Sequence, residues 1–193
     1  MNKQALLKIV GCFLLLPGVA LAHTGVGAAT GFIHGFSHPM SGADHMLAMV
    51  AVGPWAAQIG GRALWVVPCT FVGVMALGGV LGFTGVHVPF VEEGILVSVL
   101  ILGILIAGAF RLPVVFSSLL VGLFAIFHGH AHGTEMPASM SAAWYAVGFA
   151  LATAMLHIAG IGLGMLMQKA NLQTLNRFAG AAIAVSGIYL TIS

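Results

Sequence analysis

The chain has 193 residues, of which 60% are hydrophobic and only 5% charged, with a formal net charge of +2 and a mean hydropathy of +1.11. Charged residues make up about a quarter of an ordinary soluble domain, so this composition excludes a soluble globular fold, and the lack of any basic stripe excludes nucleic acid as a partner. It admits an all-α, polytopic helical bundle in a lipid bilayer, where 27 glycines let helices approach closely.

Residues 1–22 read as a secretory signal peptide. Lys3 and Lys8 form a basic start, Ile9 to Leu16 is an apolar core, Pro17-Gly18 breaks it, and Ala20-Leu21-Ala22 fits a small-x-small cleavage site. Cleavage makes His23 the new N-terminus and leaves residues 23–193 as a single transmembrane domain. Cys12 would leave with the signal, so Cys69 would have no intrachain partner.

Gly25 to Ile59 is the first apolar stretch of the remainder. As one helix it would run about 50 Å, against a hydrocarbon core of about 30 Å, so it must bend or break. Pro39 is the expected break, because it lacks an N–H for the Gly35 carbonyl and clashes with that turn. Ser41 and Gly42 then suit a restart, with Ser41 a candidate cap. Ala63 to Phe83 is the second span, after the turn Gly60-Gly61-Arg62. Glu92-Glu93 opens the third, reaching about Phe110. The fourth is Val114 to about His132, the fifth Met140 to Met167, and the sixth starts at Arg177.

Six spans after a cleaved signal put both termini outside. Turns one, three and five then fall inside, and they carry Arg62, Arg111, Lys169 and Arg177, every positive side chain of residues 23–193. This is the positive-inside pattern, and it points to the bacterial inner membrane with periplasmic termini.

Ionisable groups cost roughly 2.5–3.5 kcal/mol each at the centre of a spanning helix, so a chain this poor in charge does not place them there idly. Two stretches do so. In the first span, His34, His38 and His45 fall near one face, while Asp44 lies about 120° from His38 on a straight helix. A break at Pro39 can rotate Asp44 into line; alternatively Asp44 orients an imidazole. In the fourth span, His128, His132 and Glu135 stack at offsets of four and seven, whereas His130 points elsewhere. The echo of His34-Gly35-x-x-His38 in His128-Gly129-x-x-His132 reads as convergent ligand chemistry.

Both stretches lean to the outer half, so they can face each other around one ion. Imidazole nitrogen with carboxylate oxygen and no thiolate suits nickel, cobalt, zinc or iron(II); calcium and magnesium want more oxygens. Ten methionines raise copper(I), but Met40, Met46, Met49, Met136 and Met140 form no ladder on one span and read as apolar filler. Of Glu92 and Glu93, capping a helix start accounts for one, and the other is open to an ion. His157 reads as a packing residue, His87 as a loop residue. His23, His34 and His130 are secondary metal candidates.

The motifs His38-x5-Asp44-His45 and Phe127-His-Gly-His-Ala-His-Gly-Thr-Glu135 resemble the two signatures of the HupE/UreJ family, as do the HTG start at His23 and the Val-Glu-x-Gly-Ile pattern at Val91 to Ile95. That resemblance implies a six-span permease for nickel, or in some members cobalt, found beside hydrogenase and urease genes. It points to His38, Asp44, His45, Glu92, His128, His132 and Glu135, and it selects Glu92 over Glu93. It also implies transport without catalysis, with the Ni2+ or Co2+ ion as cargo and no permanently bound cofactor. Its partners would be the ion, the bilayer and the hydrogenase or urease maturation that receives the metal, with a homo-oligomer left open. A metal- or haem-binding membrane protein without transport is the alternative. Haem would need facing histidines but not Asp44, Glu92 and Glu135 beside them. A metalloenzyme would use Asp44 or Glu135 as a base, yet the chain has no HExxH run, and a sensor would want a soluble output domain.

Overall fold

The computed structural model describes residues 28–192, so the signal peptide and His23 lie outside the described residues. The described chain is all helix and turn. α1 is Ala28–Ser37, followed by a 3-10 turn at His38–Met40; then come α2 (Ala43–Ile59), α3 (Ala63–Phe83), α4 (Val91–Ala107), α5 (Val114–Thr134), α6 (Ala142–Lys169) and α7 (Gln173–Ile192).

The first apolar stretch does break at Pro39, which sits buried in the 3-10 turn. The helix restarts at Ser41-Gly42 as expected, but its cap differs. Ser41 does not cap α2; its hydroxyl donates to the His38 carbonyl at 2.6 Å and closes the turn. Gly42 takes the N-cap position in extended backbone without a side-chain cap.

α2 is the centre of the bundle. From Ala51 to Gln58 every residue is buried, the pattern of a helix apolar all round and enclosed on all sides. α3 packs with α5, α4 with α7, and α1 with α6, while α2 touches α3, α4, α5, α6 and α7. Trp55, Phe71, Val67, Leu102 and Val121 fill the middle. The outside is equally apolar: Leu77, Val80, Val115, Phe116, Leu119, Ile158 and Phe178 are all exposed. A surface of that kind is compatible with lipid and not with water.

Four helices are long and apolar enough to cross a membrane alone: α3, α5, α6 and α7. The expected six-span count therefore rests on α2 and α4. Each has 17 residues, about 26 Å at 1.5 Å per residue, short of the roughly 30 Å hydrocarbon core. The Pro39 break shortens the first, and left-handed residues at Phe90 and Ala109 delimit the second. The protein is a helical membrane bundle and an integral membrane protein.

The turns between α2 and α3, α4 and α5, and α6 and α7 meet at one end. There Trp55 Nε1 donates to the Phe110 carbonyl (3.0 Å) and Gln58 Nε2 to that of Ile106 (2.9 Å). Gln168 Nε2 donates to the Ala57 carbonyl (2.8 Å) and Arg177 Nε to that of Ala107 (2.7 Å). Three of these acceptors belong to the last turns of α2 and α4, whose carbonyls have no helical partner. The end that carries Arg62, Arg111, Lys169 and Arg177 is thus stitched together by side chains. The opposite end carries Asp44, Glu92, Glu93 and Glu135.

Candidate metal centre

The two histidine stretches meet where the start of α2 faces the end of α5. The ring centroids of His38 and His132 are 4.7 Å apart, His132 and His45 4.3 Å, and His45 and His128 5.0 Å. The four imidazoles form a ladder running inward. Its outer rung opens to solvent: the Glu135 side chain is 50% exposed and that of His38 29%. Further in, His45 is 8% exposed, His132 4% and His128 0%.

At the outer rung, His38 Nε2 lies 2.9 Å from Glu135 Oε2, and His132 Nδ1 lies 3.6 Å from the same oxygen. One ligand atom from each of these three residues falls within 4.8 Å of the others, a two-histidine, one-carboxylate set able to hold a metal ion. Glu135 stands just beyond the end of α5. The His132 ring, and less strongly His38, pull its carboxyl down to about 2 against the opposing effect of partial burial, so it is ionised at any physiological pH.

Below it, hydrogen bonds set which ring nitrogen is free. Asp44 Oδ1 accepts from the His45 backbone N–H (2.8 Å) and from His45 Nδ1 (2.9 Å). His45 must then carry its proton on Nδ1, and Nε2 keeps its lone pair. That Nε2 is buried without a partner. A carboxylate orienting an imidazole in this way is the usual companion of a metal-binding histidine. Gly42 leaves space for the pair: a Cβ there would stand 2.8 Å from Asp44 Oδ1 and 3.2 Å from His45 Nδ1. Of the two roles open to Asp44, the geometry matches the orienting one.

His128 is arranged with opposite hand. Ser98 Oγ donates to the Ile95 carbonyl (2.6 Å), so at 2.9 Å from His128 Nε2 its oxygen is the acceptor. His128 therefore keeps the lone pair on Nδ1, which is again buried and unpartnered. His132 Nε2 has no hydrogen bond either, and its Nδ1 has only the 3.6 Å approach to Glu135. A buried polar atom without a partner costs roughly 1–3 kcal/mol. Three adjacent rings thus each present a buried nitrogen that could bind a cation.

Close helix packing permits this geometry. At Gly129 a Cβ would run into the Met75 carbonyl, and at Gly133 into that of Gly79. The absence of side chains lets α5 lie directly on α3 and brings its histidines towards α2. The far side of the ladder is aromatic, with Phe149 4.2 Å from His132 and Tyr145 5.8 Å from His38 between ring centroids.

Three candidates stand elsewhere. His34 is exposed on α1. His130 points away from the ladder, and its Nε2 bonds the Val86 carbonyl at 2.8 Å, pinning the loop before α4 to α5. Glu92 is exposed on the first turn of α4 and takes no part in the carboxylate–histidine pairs among the described residues. Conversely, Ser98 escaped the sequence reading. Its signal was slight: it is the one hydroxyl residue in α4.

No solved structure matches the chain significantly. The family model described as HupE / UreJ protein matches residues 11–190. The chain is 47% identical over 179 residues to Protein HupE of Rhizobium leguminosarum bv. viciae, covering 93% of each sequence. Matches over nearly the whole length, containing both histidine stretches, mean that the chain belongs to the HupE/UreJ family.

Proposed function

We propose that the protein is a secondary permease of the bacterial inner membrane that takes up nickel, with cobalt as the second ion, from the periplasm to supply hydrogenase- or urease-type metalloenzymes. The observation that carries this reading is the imidazole ladder. It starts at an exposed carboxylate, ends at a fully buried ring and offers an orphan nitrogen at successive depths. A resident structural metal would need one closed site, whereas passage needs several sites, each weak enough to leave. In this reading Glu135, His38 and His132 capture the ion, and His45 and His128 take it inward. Asp44 and Ser98 hold those last two rings, and Glu92 attracts cations to the outer face. Residues 1–22 are removed, residues 23–193 form one transporting domain with six crossings, and both termini are periplasmic. The ion is cargo and no cofactor is retained.

Haem binding is disfavoured by the same geometry. Rings whose centroids are 4.3 and 5.0 Å apart leave no space for a macrocycle between them.

Uptake of radiolabelled nickel by right-side-out vesicles, with cobalt, zinc and iron(II) as competitors, tests the proposal. Saturable uptake, lost in His132→Ala, is the expected result. Normal uptake of trace nickel by His132→Ala protein present at wild-type levels would overturn it.

A further inference from the structure

One buried cluster lies deeper than the ladder and takes no part in it. His157 on α6 is 1% exposed, and neither of its ring nitrogens has a hydrogen-bond partner. It packs edge-on against Phe71 of α3, with centroids 5.1 Å apart, and Phe71 also touches His128 at 5.6 Å. One turn before His157, Thr153 is wholly buried. Its hydroxyl points neither to water nor to the carbonyl one turn back, the usual recourse of a helical threonine. It lies 3.4 Å from Met49 Sδ and 3.8 Å from Met75 Sδ. Two thioethers and a hydroxyl from α2, α3 and α6 thus meet one helical turn from an unpartnered imidazole.

Position makes the cluster a continuation of the ladder. Met49 is one turn inward from His45 on α2, and side chains four apart share a helix face. Tyr145, Phe149, Thr153 and His157 likewise descend one face of α6, from His38 at the outer rung to the centre of the bundle. Hydrophobic packing explains buried methionines, but it does not explain a histidine left with two orphan nitrogens in the middle of an apolar helix.

We propose that Met49, Met75, Thr153 and His157 form an inner station for a borderline transition-metal cation, receiving the ion released by His128. The inference rests on the transport reading above and assigns that path its next step. All four ligands are neutral. Without a carboxylate the station binds weakly, as a site that must hand its ion onward should. Thioether sulfur also favours nickel or cobalt over magnesium and calcium, which prefer oxygen, so the station adds a second filter beneath the histidines.

X-ray absorption at the nickel edge tests this on detergent-purified full-length protein, loaded with one and then several equivalents of nickel. The first equivalent should show only nitrogen and oxygen neighbours, and higher loading should add sulfur scattering. Met49→Leu/Met75→Leu, which nearly conserves volume, should remove the sulfur signal and the weaker binding while keeping the first equivalent. His157→Gln should lower the maximal uptake rate about ten-fold with little change in the nickel concentration for half-maximal uptake. If the first equivalent binds and depends on His132, but sulfur never appears in the wild-type protein, the inner station is wrong and the outer site stands. The same holds if both variants transport like wild type. If wild-type protein binds no nickel, or His132→Ala is without effect, the transport reading fails and the inner station falls with it.

Discussion

Asp44 and Ser98 perform the same task on two different imidazoles. The carboxylate accepts a hydrogen bond from His45 Nδ1–H and leaves Nε2 bare; the hydroxyl oxygen accepts one from His128 Nε2–H and leaves Nδ1 bare. Partners of this kind cost 10–100-fold in metal affinity when removed. Asp44→Asn retains an accepting oxygen but loses the charge that makes the imidazole more basic. It should weaken nickel capture by roughly 10–100-fold, partly recovered at excess metal, in equilibrium dialysis and in vesicle uptake. Ser98→Ala should weaken capture about ten-fold, within the same range, and Ser98→Thr should restore it, because the hydroxyl alone matters. The sequence disclosed these two residues unequally. A carboxylate inside an apolar stretch declares itself, although helical phase counting sets Asp44 away from His38 and cannot show that it bonds the ring beside it. Ser98 is silent because its partner lies 30 residues away on another helix, and nothing in an isolated span records such a contact.

Helix ends were legible where breakers bracket them and obscure where a side chain chose between two partners. Gly60-Gly61-Arg62 and Arg111-Leu112-Pro113 mark the starts of α3 and α5 plainly, and both begin where expected, at Ala63 and Val114. The restart after Pro39 falls at Ser41-Gly42 as expected, but the cap does not, because the Ser41 hydroxyl can either cap the next helix or close the turn behind it, and it closes the turn. α4 falls short of the expected Phe110 because Gly108 and the left-handed Ala109 end it at Ala107. The packing of α5 on α3 gives a test at this scale. Gly122 and Gly129 lie on the same helix, but a Cβ at Gly122 would meet only side-chain methyls of Thr70 and Val74, at 3.6 and 3.7 Å. At Gly129 it would meet backbone of Met75 and Gly79. Gly122→Ala should leave thermal stability in detergent and nickel uptake within error of wild type. Gly129→Ala should cost about 1–3 kcal/mol, the range for overpacking, with a lower melting temperature and impaired uptake as α5 is pushed off α3. Equal behaviour of the two variants would show that the close approach does not position the histidines.

At the scale of the whole molecule, charge separates to the two ends of the bundle. The basic residues gather where Gln58, Gln168 and Arg177 tie off helix ends, and the carboxylates lie at the opposite end, where the histidine ladder opens. In the orientation proposed above, which follows the positive-inside rule, that mouth faces the periplasm. In a Cys69→Ala background, His87→Cys before α4 should react with a membrane-impermeant thiol reagent in intact spheroplasts, whereas Gln173→Cys should react only after permeabilisation. The reverse labelling would make the ladder an exit and the protein an exporter. With the mouth outside, external pH acts directly on the ligands. Metal binding needs neutral imidazoles, and protons compete for the same lone pairs, so uptake at limiting nickel should fall as the external medium is acidified. Glu135 does not supply this flank: its folded value lies near 2, so it remains a carboxylate across the whole range. A carrier driven by inward proton flow would instead speed up on acidification. The sign of the change in initial uptake rate on acidification therefore separates ligand competition from proton coupling. A fall, reversed by raising nickel at constant pH, is the outcome expected for a ladder of neutral imidazoles.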